Sequence, residues 1–84
     1  MPTISFFYGI TIFMYLSDKE HEPPHIHAFY QDDGAAFSIL DGTIIKGKFP
    51  TNGKKLVKEF IQKYKQELLA MWNTGTYHKL PPLK

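Results

Sequence analysis

The chain of 84 residues has room for one hydrophobic core, and with 43% hydrophobic and 15% aromatic residues we expect a single folded domain over residues 1–84. It contains no cysteine, which excludes disulfides and thiolate metal sites and favours a reducing, cytoplasmic compartment. Its basic residues are ten lysines without arginine, so the net charge of +2 permits weak attraction to polyanions, while the bidentate guanine contact of sequence-specific DNA binding is missing.

The first part of the chain predicts two strands, residues 3–8 and 10–16, separated by a turn or bulge at Gly9. Both faces of the second strand are apolar, which is expected for a strand that is covered on both sides. A secretory signal needs basic residues before its apolar segment, but the apolar run from Ile4 to Leu16 has none, since the first lysine is Lys19. The run is also too short to cross a bilayer.

Three more strands are predicted at residues 25–31, 35–40 and 43–48. A hairpin turn is expected at Asp32–Gly34, with Gly34 available for positive φ. The pair Asp41-Gly42 is a stronger signal and predicts a type I′ turn, which needs positive φ at both central positions.

A single helix is predicted over about residues 52–73, capped by Thr51 or Asn52 and ended by Gly75, with a tail over residues 74–84. Apolar residues spaced by three and four form its core stripe: Leu56, Val57, Phe60, Ile61, Tyr64, Leu68 and Met71. The strands lie within about residues 3–48. The chain therefore predicts an α+β fold, an antiparallel meander of four to five strands packed against one C-terminal α-helix.

Some apolar residues exceed what this fold can bury. Leu69 and Trp72 fall on the lysine side of a continuous helix, so either the tail folds back over them or they meet a partner. One helix covers one face of the sheet, which leaves Phe13, Tyr15 and Phe29 on the other face. These five residues are the partner-binding candidates. A homodimer, or a complex with another small protein, would bury them and stabilise so small a domain.

The segment from His21 to His27 is the strongest candidate for a site. Pro23 and Pro24 keep it extended, and strand alternation places His25 and His27 on one face with Cβ atoms about 6.5 Å apart. Two imidazoles and an oxygen ligand suit a divalent metal such as zinc, nickel, iron or manganese.

The ligand set of such a site is incomplete. A third ligand would be Glu20, Glu22 or Asp18, His21 if the chain turns, or His78 if the C-terminus folds back. Because two certain ligands fall short of a full set, the favoured interpretation is that the histidines hydrogen-bond their neighbours and orient the Pro-Pro corner. No residue is assigned a catalytic role.

A basic stripe on the helix consists of Lys54, Lys58 and Lys65. Its simplest interpretation is a solvated helix face. Binding of a polyanion is the alternative.

Short motifs along almost the whole chain carry a family resemblance. They are Pro2-Thr3-Ile4, Tyr8-Gly9-Ile10, Met14-Tyr15, the block His21…Pro23-Pro24-His25-Ile26-His27-Ala28, Gly47, Pro50, Leu56-Val57, Glu67-Leu68-Leu69, Trp72 and Leu80…Pro82-Leu83. In these the chain resembles the bacterial domain-of-unknown-function family four-one-six-zero. The family commonly has an acid before the first histidine, here Glu20, but often has arginines where this chain has Lys54 and Lys55, which weakens a carried-over nucleic-acid role. The resemblance implies a small cytoplasmic protein, encoded beside another small domain in pairs similar to toxin–antitoxin modules, and it implies no activity, substrate or cofactor.

Three functions follow as hypotheses. The leading one is a non-enzymatic interaction module that forms a homodimer or binds the product of a neighbouring gene. The second is a metal-dependent hydrolase or nuclease that uses His25 and His27, with Glu20 or Glu22 as ligand or general base. The third is a nucleic-acid-binding regulator that uses the lysine stripe.

Overall fold

The structure, a computed structural model, describes residues 3–15 and 23–83. Its sheet contains five strands, β1 Thr3–Phe7, β2 Ile10–Phe13, β3 His25–Tyr30, β4 Asp33–Ser38 and β5 Ile44–Gly47, followed by the helices α1 Thr51–Lys63 and α2 Lys65–Thr74. Every strand pairs antiparallel with its neighbour in the chain, in the order β1-β2-β3-β4-β5. The predicted α+β meander is confirmed.

The core lies between one face of the sheet and both helices, and we call this face the first face. Ile12, Ala28 and Ala35 face each other across three strands and belong to one buried cluster. The helices contribute Val57, Phe60, Ile61, Leu68 and Met71 to the same cluster, as the predicted apolar stripe requires. The opposite side of the sheet is called the second face.

The prediction of a single helix is wrong in one respect, because the observed helix is interrupted at Tyr64. That residue has φ −115° and ψ 24°, away from helical values, and it separates α1 from α2. Trp72 is buried, with 4% of its surface exposed, instead of lying on the lysine side, because it follows Leu68 by four residues on one face of α2; Leu69 is half-buried against the core.

The helix ends agree only in part with the prediction. Neither Thr51 nor Asn52 caps α1; the helix begins directly after Pro50 without a side-chain cap, and the Lys54 amide donates to the Pro50 carbonyl at 2.9 Å. At the other end Gly75 has φ 72° and its amide bonds to the Met71 carbonyl at 2.9 Å. The predicted glycine stop is confirmed.

The first predicted hairpin turn is misplaced. The chain reverses at Gln31 and Asp32, between the paired residues Tyr30 and Asp33, and Gln31 takes the positive φ of 53°. Gly34 lies inside β4 opposite Phe29, whose ring occupies the space that a Cβ on Gly34 would need. The glycine is needed for this close approach instead of for a turn.

The second turn is also different from the prediction. Strand β4 ends at Ser38, and the Ser38 and Thr43 backbones close the loop with a 2.8 Å hydrogen bond. Gly42 has φ 75°, but Asp41 does not have the positive φ that a type I′ turn requires. Asp41 instead accepts hydrogen bonds from the Thr43 amide at 3.0 Å and the Thr43 hydroxyl at 2.7 Å.

The tail folds back onto the domain, as one of the two alternatives predicted. Leu80 and Leu83 are buried in the core cluster. The Leu80 amide donates to the Ile4 carbonyl at 2.8 Å, which places the tail along the outer edge of β1. Among the helices of the described residues, we find none with the length and apolar character needed to cross a membrane.

Candidate functional site

The second face of the sheet is built from two rows of residues that lie opposite each other on neighbouring strands. One row runs Phe13, His27, Ala36 and Lys46 from β2 to β5. The other runs Phe6, Thr11, Phe29 and Gly34 from β1 to β4. Since directly opposed residues point to the same face, all of these side chains lie on the side away from the helices.

Aromatic rings at the centre of the second face bury one another. Phe13 is 1% exposed although it is not part of the core cluster. Its ring lies 5.2 Å from Tyr15, 5.5 Å from His27 and 5.0 Å from Phe29, measured between centroids. The sheet face is therefore sealed at its centre by its own side chains.

His25 joins this group to the helices. Its ring lies 5.2 Å from His27 and 5.0 Å from Trp72 of α2. The six residues Phe13, Tyr15, His25, His27, Phe29 and Trp72 form one continuous group, which we call the ring cluster. The structure thus brings together four of the five predicted partner-binding residues and both central metal candidates, although it does not test either role.

The backbone before β3 fixes the orientation of His25. His25 Nδ1 lies 2.8 Å from the Pro23 carbonyl oxygen. The next carbonyl, that of Pro24, accepts a hydrogen bond from the Ile39 amide at 2.9 Å. The stiff Pro-Pro segment is thereby joined both to the histidine and to the chain that follows β4.

Two aromatic side chains of the second face remain exposed. Phe6 is 61% exposed and Phe29 is 47% exposed. A shallow cleft of about 290 Å³ lies beside Phe29, with His27, Ala36 and Lys46 among its lining residues. Phe6 was not among the sequence candidates, because the run Ile4-Ser5-Phe6-Phe7 does not alternate clearly and β1 has an irregular register between Thr3 and Ser5.

The metal prediction remains untested. Residues 3–15 and 23–83 contain no group of three histidine or acidic side chains that could hold an ion. The candidates His21, Glu20 and Glu22 lie outside the described residues. His78 lies in the tail, where its amide donates to the Met71 sulfur at 3.5 Å.

The predicted lysine stripe divides into two parts. Lys65 Nζ donates to the Leu40 carbonyl at 2.9 Å, so this lysine holds the loop after β4. Lys54 and Lys58 instead line a groove of about 390 Å³ between α1 and the start of β5. The remaining lining residues of this lysine groove are Phe37, Gly42, Thr43, Ile44, Thr51 and Lys55.

One carboxylate near the lysine groove has a shifted pKa. The hydrogen bonds from the Thr43 hydroxyl and amide lower the pKa of Asp41, with smaller contributions from the Ser38 hydroxyl and the charge of Lys58. Asp41 therefore stays ionised at neutral pH and remains bound to Thr43.

The family model described as "Domain of unknown function (DUF4160)" matches residues 9–73. No curated protein and no solved structure matches the chain.

Proposed function

The chain belongs to the DUF4160 family, whose description gives no activity, and from its surface we propose that it is a non-enzymatic protein-interaction module. The second face of the sheet is the binding surface. The observation that carries this proposal is the exposure of Phe6 and Phe29, which lie in one row with Thr11 between them. Exposed aromatic side chains grouped on a sheet face are a common property of protein interfaces.

The charge distribution supports the same surface. The register places one charged side chain of the described strands on the second face, Lys46, and it lies on the edge strand β5. The centre carries aromatic, histidine and alanine side chains. Interfaces are typically depleted of charge at the centre and polar at the rim, which matches this arrangement.

A second copy of the chain is the partner that we propose for this surface. A two-fold axis parallel to the strands would place β5 of each copy opposite β1 of the other, so the two Lys46 side chains would lie at opposite rims. Five strands at about 4.8 Å spacing, each about five residues long, give a footprint of roughly 400 Å² per copy. Two such footprints fall short of the about 1,200 Å² buried in stable interfaces, so we expect a weak dimer.

The experiment is sedimentation velocity over a wide concentration range for the unmodified protein, Phe6→Lys and Leu40→Lys. Leu40 is the matched control, because it is 52% exposed but lies in the loop after β4 and not on the second face. We expect concentration-dependent dimerisation that Phe6→Lys weakens at least about tenfold and Leu40→Lys leaves unchanged.

The remaining candidate partner is the small protein of a neighbouring gene, which is tested by adding it to the same sedimentation experiment. A monomer at every concentration that nevertheless binds the small protein of a neighbouring gene, with Phe6→Lys weakening that complex, would assign the surface to a toxin–antitoxin-like pair. A monomer that binds neither would overturn the interaction module.

A metal-dependent hydrolase or nuclease is the second candidate, and one contact favours it. The Pro23 carbonyl lies within hydrogen-bond distance of His25 Nδ1, as is usual for the outer nitrogen of a metal-bound histidine. Elemental analysis of protein purified without a His-tag or chelator tests this candidate. A stoichiometric ion that is lost in His25→Ala with His27→Ala would support it, whereas a metal-free protein would exclude it.

A further inference from the structure

The two outer edges of the sheet are not equivalent. The tail contacts β1 through one backbone hydrogen bond, from the Leu80 amide to the Ile4 carbonyl. Strand β5 pairs with β4 on one side, and in the described residues no strand pairs with its other side. Three of its four residues are exposed, including Ile45 with 45% of its surface in solvent. An open edge of this kind can accept an additional strand.

The lysine groove lies directly beside this open edge. Its apolar lining consists of Phe37, which is fully buried, and the half-buried Ile44, which alone of the two presents surface to the groove. Its wall is the first part of α1, with Thr51, Lys54 and Lys58. A strand added next to β5 would point every second side chain toward this wall. The volume of about 390 Å³ leaves space for an apolar side chain beside Ile44.

The groove is strongly positive. Lys54, Lys55 and Lys58 are exposed, and the first turn of α1 contains no acidic residue. The carboxylate whose charge interacts with Lys58 is Asp41, whose Oδ1 accepts hydrogen bonds from both the amide and the hydroxyl of Thr43. The lysines are therefore available for acidic groups of a partner.

We propose that β5 and the lysine groove bind an extended acidic segment of a partner protein as a sixth strand. The backbone of the segment pairs with the open edge of β5, an apolar side chain rests on Ile44, and its carboxylates contact Lys54, Lys55 and Lys58. Backbone pairing supplies affinity, and the alternate side chains supply selectivity. This binding mode uses a different surface from the second face and stands independently of the proposed dimer.

Charge and the open strand edge together favour an acidic polypeptide over a second copy of the chain and over a nucleic acid. A second copy of the chain would bring another β5 with Lys46, and another lysine groove, against the same positive surface. A nucleic acid would match the lysines but has no peptide backbone to pair with β5. An acidic polypeptide satisfies both the charge and the open strand edge.

The test measures binding of a fluorescein-labelled peptide of about ten residues in which valine and glutamate alternate. Fluorescence polarisation is recorded with the unmodified protein, K54E/K58E, the milder K54Q/K58Q, and the control K63E/K79E. Lys63 and Lys79 are exposed and lie outside the groove, so the control has the same change in net charge. We expect K54E/K58E to raise Kd at least about tenfold, K54Q/K58Q to raise it less, and the control to stay within about twofold.

Hydrogen exchange with the same peptide provides the second measurement. We expect slower exchange at Ile44–Gly47 and in the first turns of α1, with no change in β1 and β2. A peptide of alternating valine and lysine, and polyphosphate, serve as comparison ligands. The proposal would be overturned if the valine–glutamate peptide did not bind, or if the control variant weakened binding as much as K54E/K58E. It would also be overturned if polyphosphate bound as tightly as the peptide and β5 was not protected from exchange. Because Phe6→Lys should leave peptide binding intact, failure of the dimer and failure of this site can be told apart.

Discussion

Phe13 and His27 lie directly opposite each other on β2 and β3, and their rings stack with centroids 5.5 Å apart and planes 13° apart. This pair is at the centre of the second face, away from both helices. It explains how Phe13 is 1% exposed without belonging to the core. The sheet therefore has a small second hydrophobic centre of its own, beside the exposed rings of Phe6 and Phe29 on the same face.

The first prediction concerns this second centre. Phe13→Ala removes a fully buried ring that three neighbouring rings contact, so we expect a loss of about 3–5 kcal/mol in the free energy of unfolding. Phe6→Ala is the control, since its ring is 61% exposed, and it should change stability by about 0.5 kcal/mol or less. Urea unfolding measures both variants in dilute protein. If both variants lost the same free energy of unfolding, Phe13 would not be buried within the monomer.

Sequence patterns predicted the five strands and the buried helix stripe because alternation and helical spacing repeat over many residues, although β2 ends at Phe13 within the strand predicted over residues 10–16. They missed the break at Tyr64, since the residues around it all favour a helix and the deviation arises where the chain packs on the sheet. For the candidate site, alternation placed His25 and His27 on one face. The contact of His25 with Trp72 could not be predicted, because it depends on how α2 packs against the start of β3.

The second prediction concerns Gly34 and Phe29. A Cβ at position 34 would overlap the Phe29 ring, so Gly34→Ala should destabilise the protein by about 1–3 kcal/mol. In a Phe29→Ala background the ring is gone and the same substitution should cost much less. A double-mutant cycle measured by thermal or urea unfolding gives the coupling energy. An additive cycle would contradict the close contact between this ring and the glycine.

The third prediction compares two buried serines. Ser5 lies opposite Ile12 and is 6% exposed, and the described residues provide no hydrogen-bond partner for its Oγ. Ser38 is equally buried, but its Oγ accepts a hydrogen bond from the Leu40 amide at 3.2 Å. We expect Ser5→Ala to be neutral or stabilising by about 1 kcal/mol and Ser38→Ala to destabilise by a similar amount. Unfolding midpoints that shift in the opposite order would show that Ser5 has a partner.

The fourth prediction concerns the pH dependence contributed by Asp41. Hydrogen bonds from Thr43 lower the pKa of Asp41 in the folded protein, whereas the unfolded chain has the ordinary value of about 3.9. The ionised form is therefore favoured by folding, and its contribution to stability is present above about pH 4 and is lost as the pH falls through the folded-state pKa.

Asp41→Asn removes the charge but keeps an oxygen that can accept from Thr43. We expect the difference in unfolding free energy between the unmodified protein and Asp41→Asn to be constant from about pH 6 to 8 and to shrink as the pH falls through the folded-state pKa of Asp41. Asp33→Asn is the control, because it is a half-buried carboxylate at the other hairpin. Carbon-detected NMR of the Asp41 carboxyl group gives the titration directly. A difference that persists unchanged in acid would mean that the charge of Asp41 does not stabilise the loop, and that the neutral hydrogen bonds to Thr43 are sufficient to hold it.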